Sequence, residues 1–332
     1  MTPRKGRHQY TEEAEWFWPR TEAGWHKHRR GDITATAAAS LFGVSPYMTP
    51  FDMFHRMAGT MEVVIEESER MLWGKRLQNA IAEGVCADNG WEIVDGYEFL
   101  YARSKLYPGC GASPDYIIRD PANPELGVGG LEIKNVDLFV AKDDWTDEEA
   151  PPHIEFQAQH QMMVCGFRWN VIAGLIGGNT PKVFRRVRDE EVVAELAKRC
   201  AEMHDRVLRN DPPTPDYLAD YETIRALYRN ATPTKSFSLD IPDPDSELDA
   251  AKLRELIQAK YDADIAKKLA EEDAKTAAAA LLHYIGDTET VFGEDWKVSA
   301  TTTHKDAYTV EYKPTSYRNL RVSKPKPKGS KK

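Results

Sequence analysis

The spacing of apolar positions changes several times along the chain, and each change marks an element. Residues 116–118, Tyr-Ile-Ile, are aromatic and β-branched, and Leu131 and Ile133 alternate with Glu132 and Lys134. Both stretches predict short strands. Alternation places Leu131 and Ile133 on a core face and sends Glu132 and Lys134 the other way together. Residues 120–125, Asp-Pro-Ala-Asn-Pro-Glu, are turn formers that separate the two strands. Pairing the strands as a hairpin brings Asp115 toward Glu132 and Lys134.

The rest of the pattern frames this hairpin. Residues 1–24 predict an irregular or partly helical lead-in, with Trp16 and Trp18 in it and Trp25 just after. Asp32 or Thr34 can cap a helix that Gly43 closes, and a second short helix follows near 50–57. Residues 66–89 place Met71, Leu72, Leu77, Ile81 and Val85 on one side of a longer helix ended by Gly90. Residues 91–101 are strand-like. After the hairpin, residues 137–150 predict an acidic loop carrying Trp145, and Pro151-Pro152 opens another helix. On it Gln157 and Gln161 lie one turn apart, with Gln159 and His160 between them. They are either ordinary solvated side chains or the face of a helix against a wet cleft. Residues 169–177 and 182–187 read as strands, and 190–208 as an amphipathic helix stopped at 211–215 by Asp-Pro-Pro-Thr-Pro.

The composition shifts after residue 230. Residues 231–245 hold three prolines with Ser, Thr and Asp, as a linker does. Residues 246–285 predict a long helix whose stripe of Leu253, Leu256, Ile257, Tyr261, Ile265 and Leu269 packs on the main domain or on another subunit. Residues 291–322, around Trp296, are strand-like. The last nine residues hold five lysines, a disordered tail that binds nucleic acid electrostatically or adds solubility.

With 332 residues, 41% of them hydrophobic, the chain has material for one large core and an appendage. A net charge of −9 argues against a uniformly basic nucleic-acid binder. Clustered charge still permits one, and Lys27, Arg29 and Arg30 sit together. The sequence has no apolar run of membrane-spanning length and no signal-peptide h-region, so a cytoplasmic location without membrane contact is expected. Cys86, Cys110, Cys165 and Cys200 form no C-x-x-C pair, which argues against a zinc ribbon. Their expected role is that of small buried hydrophobes.

Two carboxylates and one ammonium on adjacent strands describe a hard-cation site suited to Mg²⁺. A lysine there orients a metal-bound water and stabilises charge developing on a phosphate. The helix start beside Arg29 and Arg30 reads either as an anion site or as a capped surface helix with solvated arginines.

Five blocks in order resemble the YqaJ-type viral recombinase family, relatives of phage lambda exonuclease within the PD-(D/E)xK nuclease superfamily. They are residues 29–43 with Ser45-Pro46-Tyr47, then Trp73-Gly74-Lys75-Arg76-Leu77-Gln78, then Ser113-Pro114-Asp115. Leu131-Glu132-Ile133-Lys134 and Gln157-Ala158-Gln159-His160-Gln161-Met162 complete the set. The resemblance implies an α/β restriction-endonuclease-like core, a mixed sheet flanked by helices, with a C-terminal long helix and small β appendage. It implies a lead-in over 1–27, a nuclease domain over 28–230, a linker over 231–245, an extension over 246–322 and a basic tail over 323–332.

Residue by residue, the resemblance implies Mg²⁺, or Mn²⁺ in its place, bound by Asp115, Glu132 and the Ile133 carbonyl. Gln78 stands where the family carries a further carboxylate. Lys134 positions or activates the attacking water, Gln157 orders the cleft, and Arg29, Arg30 and Thr36 hold a DNA 5′-phosphate. The implied activity is 5′-to-3′ exonucleolytic hydrolysis of double-stranded DNA ends in phage recombination. The setting is a phage or prophage protein in a bacterial host, working beside a single-strand-annealing partner and able to form a trimer. The alternatives are an endonuclease or flap nuclease on the same site, or a DNA-binding module whose catalysis Gln78 impairs.

Overall fold

The computed structural model describes residues 9–61, 67–241, 248–307, 309–310, 314 and 317–323, and the chain divides into two compact units, 1–227 and 228–332. In chain order the first unit holds β1 (Ala14–Phe17), α1 (Glu22–Arg29), β2 (Ile33–Thr34), α2 (Ala35–Ala38), α3 (Pro50–Met57) and α4 (Glu69–Asn89). Then come β3 (Glu92–Asp95), β4 (Tyr101–Ser104), β5 (Cys110–Ala112), β6 (Tyr116–Arg119) and β7 (Val128–Val136). After these lie α5 (Leu138–Asp144), α6 (Pro152–Cys165), β8 (Trp169–Ile176), β9 (Thr180–Val187), α7 (Glu190–Arg209) and α8 (Tyr221–Leu227).

A five-stranded sheet runs β3-β6-β7-β8-β9, antiparallel throughout except for the parallel pair of β7 and β8. That parallel pair needs a long crossover, which α5 and α6 supply. β8 is buried along almost its whole length, as expected of a strand with covered faces. On one face, Ile81, Ala82, Val85 and Cys86 of α4 pack with Leu131, Ile133, Val171 and Ala173. On the other, Ile154 and Ala158 of α6 pack with Ile172 and Ile176. The alternation read from residues 131–134 therefore holds, but both of its faces are covered.

A second sheet, β1-β4-β5-β2, is closed by antiparallel pairs and one parallel pair between β2 and β5. Trp16, Ala102 and Ala112 from it meet Met162, Met163 and Val164 of α6 and Leu196 of α7. Helix α6 thus takes part in the packing of both sheets. Its Gln157, His160 and Gln161 are buried, not set against a wet cleft, and of the polar residues in this motif only Gln159 is partly open.

Several local expectations change. Residues 14–17 form a strand paired to β4 where a lead-in was expected, because Ala14 and Trp16 have a core face to fill. The acidic stretch after β7 contains α5, capped by the Asp137 carboxylate, and Trp145 beyond it is buried against Phe184. Thr34 precedes α2 without a side-chain cap, and Asp32 accepts from Tyr101 and Arg103 (2.7 and 2.8 Å). The helices over 50–57, 69–89 and 190–209 agree with the pattern, with Gly90 in the left-handed region (φ 70°) ending α4.

The second unit consists of α9 (Ala250–Ile285), capped by Asp249, and a hairpin of β10 (Thr290–Phe292) and β11 (Lys297–Ser299). Leu256, Ile265 and Leu269 of the α9 stripe are exposed. Trp296 sits in the hairpin turn, and the described residues from 300 to 322 add no strand. Residues 242–247 and 324–332, hence part of the linker, the start of the long helix and the lysine tail, lie outside the described residues.

Gly129 in β7 faces the Trp169 ring: a Cβ there would meet it at 2.5 Å, with no room to shift short of backbone movement. Gly129→Ala is expected to destabilise the first unit by roughly 1–3 kcal/mol. Urea unfolding followed by tryptophan fluorescence measures this, and an unchanged midpoint would contradict the close approach of β7 and Trp169.

Candidate active site

The β6–β7 ladder ends at the pair Tyr116–Leu131, whereas β7 continues to Val136 paired only to β8. The two strands fork there. The chain reaches the fork from β5 of the other sheet through Ser113-Pro114-Asp115, so the fork is also the junction of the two sheets. Past the last rung, the free Ile133 N–H of β7 donates to the Asp115 carboxylate at 2.8 Å in place of a strand carbonyl. Asp115 is fixed by the end of the sheet itself.

Glu132 is the next side chain along β7 and is only 3% exposed. Its Oε1 accepts from Lys134 Nζ (2.5 Å) and Gln157 Nε2 (2.6 Å), and its Oε2 from Gln161 Nε2 (2.6 Å). Asn170 of β8 donates to Gln161 Oε1 at 2.7 Å, which orients that amide with its N–H₂ toward Glu132. A buried carboxylate costs several kcal/mol unless such donors surround it. Gln157 and Gln161, one turn apart on α6, supply two of them.

Burial, then the charge of Glu132, pushes the Asp115 carboxyl up to about 8, against the opposing pull of Lys134, the Ile133 amide and a hydrogen bond from Gln78 of α4. Burial works against the Lys134 ammonium, but Glu132 and Asp115 outweigh it and hold its pKa above the usual value. Burial and the Lys134 charge both lower the pKa of His153, whose ring meets Tyr47 edge-on at 5.8 Å.

The donor set fits a hard divalent cation. Once ionised, Asp115 and Glu132 offer acceptor-only oxygens, and together they would carry one more negative charge than Lys134 neutralises.

The other expected residues fall in different places. Trp25 of α1 donates to Ser113 Oγ at 2.9 Å, and the Arg29 guanidinium stacks over the Trp25 ring at 3.9 Å, so Arg29 is tied to the Ser-Pro-Asp segment. It lies at the C-terminal end of α1, not at a helix start, and burial lowers its pKa. Arg30 and Thr36 are exposed. Among the described residues, no hydrogen bond joins Arg29, Arg30 or Thr36 to Asp115, Glu132 or Lys134. Two contributors had no assigned role in the sequence: Gln161, and Asn170, whose signal was a lone amide inside the apolar run of β8.

Residues 24–168 match the model of the YqaJ-like viral recombinase domain, a span that contains Gln78, Asp115, Glu132, Lys134, Gln157 and Gln161. This region of the chain is similar to that domain. Among individual proteins, it is 27% identical over 223 residues to the uncharacterized protein YqaJ of Bacillus subtilis (strain 168), covering 65% of this chain and 66% of that relative. Among solved structures it is similar to the alkaline exonuclease LHK-Exo from Laribacter hongkongensis in complex with dAMP, at 18% identity and a TM-score of 0.44. That similarity covers 61% of this chain and 98% of the exonuclease. A phage-related exonuclease from Haemophilus somnus 129PT is similar over 54% of this chain and 96% of its own, at 10% identity and a TM-score of 0.36.

The raised Asp115 pKa has a stability consequence. An unfolded aspartate titrates near about 4, so the folded carboxyl holds its proton more tightly. Its contribution to stability is present below pH about 4 and is lost as pH rises through about 8. In EDTA, the stability of Asp115→Asn minus that of wild type should therefore grow across that window, and added divalent cation should shrink the difference. Parallel pH profiles from chemical denaturation would refute the assignment.

Proposed function

We propose that the chain is a metal-dependent 5′-to-3′ exonuclease of double-stranded DNA ends, built on a PD-(D/E)xK core and acting in phage-type recombination beside a single-strand-annealing protein. The observation that carries this reading is the fork of β6 and β7, where Asp115, Glu132 and Lys134 converge inside the matched domain.

Asp115 and Glu132 would hold Mg²⁺, or Mn²⁺ in its place, with the Ile133 carbonyl and Gln78 beside them. Once bound, the cation supplies Lewis acidity toward a phosphate oxygen and a lowered pKa for water. The chain's own residues do the rest. Glu132 and Asp115 raise the Lys134 pKa, which suits it to act as donor and counter-charge to a phosphate oxygen or the attacking water. Gln157 and Gln161 donate to Glu132 and fix both of its oxygens. Gln78 donates to Asp115 where a carboxylate would repel it, which lowers the charge of the site by one. Arg29, stacked on Trp25, would meet a terminal phosphate, with Arg30 and Thr36 as further contacts from the same segment. Recognition through phosphates makes cleavage insensitive to sequence. A ring of three copies around the duplex would suit processive degradation.

The test is digestion of a linear duplex bearing 5′-phosphate or 5′-hydroxyl ends, with Mg²⁺, Mn²⁺ or EDTA, alongside calorimetric metal binding. Wild type should remove the 5′-phosphorylated strand only with metal. Lys134→Ala should lose about 10²–10³-fold in rate while still binding metal, and Asp115→Asn and Glu132→Gln should lose metal binding as well. Arg29→Ala should erase the preference for 5′-phosphate. DNA binding without cleavage by wild type, with cleavage gained in Gln78→Glu, would identify an impaired binding module instead. Cleavage of closed circles would identify an endonuclease.

A further inference from the structure

Three side chains from distant parts of the sequence meet on the far side of α6. Cys110 comes from β5, His160 from α6 and Cys200 from α7, and their ligand atoms all lie within 4.8 Å of one another. All three are buried, Cys110 and Cys200 at 1% exposure and His160 at 0%. The His160 ring has no hydrogen-bond partner on Nδ1 or Nε2 among the described residues. A fully buried imidazole with both nitrogens unsatisfied is costly, and such a group calls for a partner.

We propose that Cys110, His160 and Cys200 form a second, structural metal centre for a borderline-soft cation of the Zn²⁺ class, chemically distinct from the carboxylate site. The donor set decides the metal. Two sulfurs and one imidazole nitrogen match Zn²⁺ and disfavour Mg²⁺ or Ca²⁺, which take oxygen ligands. Tetrahedral Zn–S and Zn–N bonds of about 2.3 and 2.0 Å require the donor atoms to close by at most about 1.3 Å. Both cysteines bind as thiolates and their two protons pass to solvent, while His160 binds as the neutral imidazole.

The neighbourhood supports a fixed site. His204, one turn beyond Cys200, bonds the Gly109 carbonyl at 2.8 Å and anchors the chain immediately before Cys110. A Cβ at Gly109 would stand 2.1 Å from that ring, so glycine is what admits the contact. A cation here would join β5, α6 and α7 directly. It would also set the rotation of α6, which presents Gln157 and Gln161 to Glu132. The centre does not depend on the nuclease reading, since its evidence lies wholly in these three residues.

The test uses the full chain, reduced and freed of metal, titrated with Co²⁺. One equivalent should give a thiolate-to-cobalt charge-transfer band that one equivalent of Zn²⁺ removes. Cys110→Ser and Cys200→Ser should each lose that band, while Cys165→Ser and Glu132→Gln should keep it. X-ray absorption at the zinc edge of wild type reads the same site without a variant, and should show sulfur neighbours at about 2.3 Å. A zinc shell of oxygen and nitrogen alone would overturn the proposal. So would a reduced chain that takes up no thiolate-bound metal and forms a Cys110–Cys200 disulfide in air.

Discussion

The Glu132 carboxylate is almost fully buried in the middle of a sheet, and three donors from two elements make that tolerable: Lys134 on its own strand and Gln157 and Gln161 on α6. Each charge-assisted hydrogen bond contributes about 1.5–3 kcal/mol, which together offsets a desolvation cost of several kcal/mol. The arrangement has a structural consequence. Glu132 accepts from α6 only if α6 lies across β7 at one height and one rotation. The hydrogen bonds that satisfy this buried carboxylate therefore also register the central helix on the five-stranded sheet.

The fork between β6 and β7 depends on the same strand. β7 is long because its partner β8 is parallel and buried, and β6 is short because its chain has just crossed from the other sheet. The unmatched length leaves backbone N–H groups facing the gap, and one of them, at Ile133, fixes Asp115. A carboxylate placed by a backbone amide has little rotational freedom to lose when it binds a cation. Precision here comes from a mismatch in strand length, not from a dedicated loop.

Much of this was legible in the residues. The alternation at 131–134, the turn at 120–125 and the order of the family's motif blocks located the hairpin and the acid–acid–lysine set. What was not legible follows from burial. An alternating strand reads as half-exposed, yet Glu132 faces a helix, because α6 packs against both sheets and most of its residues are buried. Gln157, His160 and Gln161 looked polar enough to mark a cleft. Their partners, Glu132 for the glutamines and the Cys110–Cys200 pair for His160, come from segments that no local spacing connects. The strand at 14–17 was hidden for a similar reason: Trp16 and Trp18 have no periodicity of their own, and only pairing with β4 gives Trp16 a core to enter.

Helix α6 thus has two chemically different faces, amides toward a hard-oxygen site and an imidazole toward two sulfurs, about 60–100° apart around the axis. The separation matters because the two donor sets select different cations. A borderline-soft ion gains more from the thiols than from Asp115 and Glu132, and Mg²⁺ gains nothing from sulfur. On the two proposed readings, the chain would hold one ion on sulfur and exchange another on oxygen without competition between them. Because Gln157 and Gln161 flank His160 in sequence, tightening the sulfur side would fix the amides that hold both Glu132 oxygens. The stiffness of one helix would then connect the fold's anchoring to the geometry of the carboxylate on its other side.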